Sequence, residues 1–169
     1  IGRRICGIRR IFITLLLLIV NAFTKFYAMA GLRLGYLMTG DLSLLHAVAQ
    51  QLPEWNVSSI AQRAGISALQ DTEYEKRTRQ LIEKERRYLI QEFLKMGCTV
   101  FPSEADYITF RLPQEKTGFL LKERLLEGKI LIRSCANYRN MLPDCYRIAV
   151  KQHADNEELV RQVWRILKQ

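Results

Sequence analysis

A primary amine, a hydroxyl and a guanidinium fall within the stretch 22–36, AFTKFYAMAGLRLGY, just after an apolar run that ends at Val20. Lys25 is set among Phe23, Phe26 and Tyr27. Aromatic neighbours that strip water from an ammonium make its amine easier to deprotonate and more nucleophilic, which is what imine formation with a carbonyl requires. Thr24 adds a hydroxyl, and Arg33, eight residues beyond Lys25, adds a planar fork suited to bidentate contact with a phosphate. Gly31 and Gly35 flank that arginine and allow tight turns or a close backbone approach. The set suits an aldehyde that carries a phosphate. Spacing alone does not separate this reading from a solvated loop lysine and a surface arginine.

The elements that position these groups can be read in chain order. The apolar run Ile11–Val20 predicts a strand buried on both faces, delivering Lys25 at its end, where α/β sheets place their chemistry. A helix is predicted from Asp41 or Ser43 as N-cap, with Leu44, Leu45 and Val48 on one face, until Pro53 breaks it. A second follows through Ile60, Ala61, Ala64 and Ala68, after a turn in which Trp55 and Asn56 are expected to pack. Thr72 to Glu75 reads as a capping box for a long helix whose stripe is Leu81, Ile82, Leu89, Phe93 and Met96, ending at Gly97. Its charged face, with Glu75–Arg79 and Glu83–Arg87 pairs, reads as solvated. After Gly97 the period changes. Strands are expected at 98–101, 107–112, 129–133 and 146–150, a helix at Thr117–Glu127 closed by Gly128, and a last helix from Asp155 capped with Glu158. Helix, two strands, helix, two strands, helix makes a compact α+β domain.

The Thr-Lys pair followed by Gly-x-Arg-x-Gly resembles the cofactor lysine segment of fold-type I pyridoxal-phosphate enzymes, in the class I/II aminotransferase superfamily. Together with PEWNVSSIAQRAG (53–65), ILIRSCANY (130–138) and YRIAV (146–150), it is similar to the threonine-phosphate decarboxylase branch, with histidinol-phosphate aminotransferases as near relatives. The resemblance implies an α/β fragment of that fold: the end of the large-domain sheet at 1–75 and a complete small domain at 76–169, with 1–10 unplaced. It implies pyridoxal 5′-phosphate held by Lys25, with Thr24 and Arg33 on its phosphate, and a small phosphorylated amino acid as substrate. Arg147 matches the family arginine for the substrate carboxylate, and Arg133 is a second cationic contact for a phosphate or carboxylate. Ala22 stands where the family often has a serine that also contacts the phosphate. The parts of the family that cup the cofactor phosphate, stack on its ring and contact its pyridine nitrogen precede the lysine strand and are not in this sequence. The isolated chain is therefore expected to be catalytically poor or inactive, and the complete enzyme a homodimer.

Composition bounds the remaining classes. Of a net charge of +9, six charges come from Arg3, Arg4, Arg9, Arg10, Lys25 and Arg33, before the first acidic residue at Asp41. A nucleic-acid face spread over the chain is therefore not expected. IGRRICGIRR followed by IFITLLLLIV also resembles a secretory n-region and h-region, but the apolar run is too short to span a bilayer, and cleavage near Ala30 would remove Lys25. A cytoplasmic protein without a membrane segment is the expectation. Cys6, Cys98, Cys135 and Cys145 show no CxxC pair and no histidine spacing suited to zinc, so they read as free thiols and no metal is expected. His46 and His153 read as isolated helix-surface or loop residues.

Overall fold

The computed structural model describes residues 17–116, 118 and 120–168. The signal-like reading of the first residues, the start of the apolar run, Cys6 and the expected helix start at Thr117 lie outside these. The chain divides into two compact units between Thr72 and Glu73.

In the first unit, strands β1 (Leu18–Ala22) and β2 (Gly35–Thr39) form an antiparallel hairpin, with Leu18 opposite Thr39 and Ala22 opposite Gly35. The expectation of a strand buried on both faces is corrected here for its described part. Leu18 is 44% and Val20 73% exposed, because a two-stranded ribbon leaves both its edges and much of its surface uncovered. Gly35 suits that pairing: a Cβ there would crowd the Asn21 carbonyl oxygen at 3.0 Å. Helix α1 (Leu42–Gln51) starts as expected. The Asp41 carboxylate accepts from the amides of Ser43 and Leu44, and the helix stops at Leu52, ahead of Pro53. Its apolar stripe is less buried than the spacing predicts, with Leu44 and Leu45 exposed.

Helix α2 (Ser59–Gln70) is capped by the Ser58 hydroxyl, which accepts from the Ala61 amide. Ala61 and Gly65 are its buried residues, whereas Ile60 is 72% exposed. Trp55, expected to pack, is 94% exposed and sits in the left-handed region at φ 57°.

The second unit follows the expected element order. Helix α3 (Thr72–Lys95) leads to β3 (Thr99–Val100) and β4 (Tyr107–Arg111), then α4 (Leu121–Glu127), β5 (Arg133–Ser134), β6 (Cys145–Ala149) and α5 (His153–Leu167). The sheet order is β3-β4-β6-β5, and every pairing is antiparallel. Alternation along the strands divides its two faces. Ile108, Phe110, Tyr146 and Ile148 join Leu89 and Phe93 of α3, Leu121 and Leu125 of α4, and Leu159, Val160 and Val163 of α5 in one core.

Helix ends account for most shifts in boundary. At the end of α3, Gly97 takes φ 80°, with its amide donating to the Leu94 carbonyl and the Cys98 amide to the Phe93 carbonyl. The same closure ends α4, but there Lys129 rather than Gly128 holds the left-handed position, at φ 61°. The amides of Lys129 and Ile130 are committed to Leu126 and Leu125, which is why the strand expected at 129–133 begins only at Arg133. Helix α5 starts at His153, two residues before the expected cap. Asn156 turns inward to accept from the Lys151 amide, and Glu158 pairs with Arg161 and Gln162 instead of capping. Glu85, within the α3 stripe, is buried, while Leu81 is 39% exposed. Among the described residues no helix is long and apolar enough to cross a membrane.

Candidate active site

Thr24, Lys25 and Arg33 all lie in the loop that joins β1 to β2. The loop is tied at its base by the Phe23 amide donating to the Leu34 carbonyl at 3.0 Å, one step beyond the strand ladder. Inside it, the Ala28 amide donates to the Lys25 carbonyl at 3.0 Å, and the Met29 amide to the Phe23 carbonyl at 3.2 Å. Two non-glycine residues, Ala28 at φ 54° and Arg33 at φ 52°, adopt the left-handed region. Such backbone is uncommon for these residue types and tends to cluster at ligand clamps.

The aromatic residues around Lys25 do not bury it. Phe23 and Tyr27 stack with centroids 5.1 Å apart, Phe26 meets Tyr27 edge-on at 5.0 Å, and Phe23 is buried, but Lys25 itself is exposed. In this chain the rings serve one another, and the desolvation expected for the amine is not realised. Arg33 is also exposed, and its Nη1 donates to the Ala30 carbonyl at 3.4 Å. Helix α2 holds the loop from beneath. A Cβ on Gly65 would lie 2.5 Å from a terminal methyl of Leu34 and 3.7 Å from the Phe23 ring, so the Leu34 side chain packs directly onto the bare backbone of this helix. Gly65 falls within the recognised stretch 53–65, but only the fold reveals its contact with the residue preceding Gly35.

Arg133 and Arg147 belong to the second unit, where the structure brings them together as direct partners across β5 and β6. They lie on the sheet face opposite the helices. Among the described residues no carboxylate pairs with either. The Arg147 guanidinium lies over the Tyr107 ring at 4.8 Å. That of Arg133 lies over the Tyr138 ring at 5.5 Å, and its Nη2 donates to Asn137 Oδ1 at 3.1 Å. One step along the same face, Arg111 Nε donates at 2.8 Å to Asp144, whose side chain is 2% exposed. The Asp144 carbonyl accepts from Leu112, which fixes the approach to β6. Sequence reading missed Tyr107, Tyr138, Asp144 and Gly65. For Tyr138 the available signal was its place five residues after Arg133 in ILIRSCANY.

Residues 10–163 match the family Aminotransferase class I and II. The chain belongs to that family. Its cofactor is pyridoxal 5′-phosphate, and the two units correspond to part of the fold-type I architecture. The chain is 36% identical over 150 residues to the threonine-phosphate decarboxylase of Salmonella typhimurium, covering 88% of this chain and 41% of that protein. It is 33% identical over 152 residues to a histidinol-phosphate aminotransferase of Oleidesulfovibrio alaskensis, covering 89% and 39%. Among solved structures, the histidinol-phosphate aminotransferase of Clostridium acetobutylicum superposes with a TM-score of 0.84 at 31% identity, covering 89% of this chain and 46% of that one. This family member thus spans about two fifths of the length of the curated relatives it matches.

Proposed function

We propose that this chain is the lysine-bearing and small-domain part of a pyridoxal-phosphate enzyme that decarboxylates L-threonine O-3-phosphate to (R)-1-amino-2-propanol phosphate in cobalamin biosynthesis. The pairing of Arg133 opposite Arg147, with neither drawn into an ion pair among the described residues, carries this reading. Two arginines on paired strand positions suit a small substrate with two anionic groups, a carboxylate and a phosphate.

The cofactor fits the donor set of the β1–β2 loop. Lys25 offers an exposed amine for its carbonyl, and Thr24 and Arg33 offer a hydroxyl and a guanidinium for its phosphate. When bound, pyridoxal phosphate supplies an electron sink for the pair left at Cα as a bond there breaks. In the second unit, Arg147 is the contact for the substrate carboxylate and Arg133 the contact for the second anion. As carbon dioxide departs, the Lys25 ammonium is the group that delivers the replacing proton to Cα. The complete enzyme is a homodimer in this reading.

Likeness to histidinol-phosphate aminotransferases supports a second reading, transamination of a phosphorylated or aromatic amino acid. A third is a remnant that binds no cofactor. Mixing the purified chain with pyridoxal phosphate, reducing with borohydride and mapping the labelled peptide tests the cofactor site. Stoichiometric label on Lys25 is expected; scattered or absent label overturns it. In a chain completed to the length of its relatives, carbon dioxide release from threonine phosphate without a keto acid supports the decarboxylase. A strict need for 2-oxoglutarate supports the aminotransferase.

A further inference from the structure

Two like charges directly opposite each other on a sheet repel, and Arg133 and Arg147 hold that arrangement with no ion pair to a carboxylate among the described residues. Arg111, on the same face, shows the usual remedy: its guanidinium is tied to the buried carboxylate of Asp144 at 2.8 Å. A carboxylate both neutralises a guanidinium and occupies its fork. An aromatic ring instead attracts the cation through the negative face of its π-system, leaving charge and in-plane donors available to a ligand.

Tyr107 stands where it can do this for Arg147. Thr109 is the direct partner of Arg147 across β4 and β6, so Tyr107, two residues earlier, is the diagonal neighbour, within reach of a long side chain. The turn before it is fixed on several sides. Arg86 of α3 donates to the Ala105 carbonyl at 2.9 Å, the Val150 amide to the Asp106 carbonyl at 2.8 Å, and the Ser103 hydroxyl to the Tyr107 carbonyl at 2.6 Å. The backbone that leads into Tyr107 is thereby anchored to α3 through Arg86 and to the end of β6 through Val150.

We propose that Tyr107 is a positioning residue for substrate binding: its ring holds the Arg147 guanidinium in a fixed, un-neutralised orientation ready for an anionic group of the substrate. This rests on the reading of Arg147 as a substrate contact. The ring, not the phenol hydroxyl, carries the role, so Tyr107→Phe should preserve it and Tyr107→Leu should remove it.

The test uses the full chain, with the Arg147 side-chain Nε–Hε group followed by NMR and binding of O-phospho-L-threonine followed by titration. In Tyr107→Leu, the ring-current displacement of the Arg147 Hε signal and its restricted motion are lost, and affinity for O-phospho-L-threonine falls roughly three- to ten-fold. Tyr107→Phe keeps all three, while its fold and that of the leucine variant, checked by circular dichroism, match the parent. An Arg147 side chain equally restrained in the leucine variant, or an unchanged affinity, overturns the proposal. If neither the parent nor Arg147→Ala binds O-phospho-L-threonine, the substrate reading fails. The restraint of Arg147 by the ring is still upheld if its motion is released in Tyr107→Leu.

Discussion

Nδ1 of His153, at the first turn of α5, lies 3.0 Å from Oε2 of Glu85, a carboxylate only 1% exposed in the middle of α3. An ionised carboxylate has only acceptors, so Nδ1 carries the proton in this bond. Asn156 Nδ2 donates to the same oxygen at 3.0 Å and to the Lys151 carbonyl at 2.9 Å, while His153 Nε2 approaches Glu157 at 3.3 Å and the imidazole meets Tyr88 edge-on. His153 is therefore a joint between two helices of the second unit, not the isolated residue its sequence context implies.

The pH dependence of the second unit follows from Glu85. Burial alone would push its carboxyl up, but hydrogen bonds from Asn156 and His153 outweigh it and hold the group below its ordinary value of 4.5. A depressed folded-state value contributes stability that is present above pH 4.5 and is lost as pH falls through that lower value. Glu85→Gln should cost about 1–3 kcal/mol at neutral pH and flatten the acid limb of stability. Urea unfolding by circular dichroism at a series of pH values measures both. A variant whose profile runs parallel to the parent's excludes this assignment.

Gly65→Ala sets two effects against each other. Alanine gains about 1 kcal/mol of helix propensity over glycine, whereas crowding a packed contact costs about 1–3 kcal/mol. The new methyl would lie 2.5 Å from the end of the Leu34 side chain, which must swing away from α2, so the change in stability should stay within about 1 kcal/mol while the loosened loop labels more weakly at Lys25 with pyridoxal phosphate and borohydride. Shortening the neighbour in Gly65→Ala/Leu34→Ala should recover part of the loss. Undiminished labelling of Lys25 in Gly65→Ala would mean that α2 does not hold the loop.

Arg33 separates stability from binding. Its left-handed backbone at φ 52° favours glycine, so Arg33→Gly should leave thermal stability unchanged or raise it by up to about 1 kcal/mol. Cofactor affinity should fall roughly ten-fold or more with loss of a charge-assisted phosphate contact. Undiminished affinity in the glycine variant would remove Arg33 from the phosphate site.

The buried thiols should be inert in the folded state. Burial pushes the Cys98 thiol up to about 12, and raises Cys135 and Cys145 as well. Since the thiolate is the reactive form, iodoacetamide at pH 8 should label these three only after denaturation. Mass mapping of native and unfolded samples reads the difference directly; labelling of Cys98 in the native chain within minutes would refute it.

Much of this molecule is written in local sequence, because the signals involved act over a few residues. The Asp41 cap, the Pro53 stop, the left-handed Gly97 and the alternation of Tyr107–Arg111 each depend on bonds or periodicity within one element, and the element order of the second unit follows from them. The Thr24, Lys25 and Arg33 pattern was likewise legible, since its members share a single loop. Tertiary structure decided what depends on partners distant in the chain. Val20 is apolar yet exposed, because burial is a property of neighbouring layers and not of the strand. Glu85 is charged yet buried, because Asn156 and His153, far along the chain, supply its donors. Arg133 and Arg147 look like two unrelated strand residues until antiparallel register sets them opposite each other, and Tyr107 acquires its contact with Arg147 only through that same pairing.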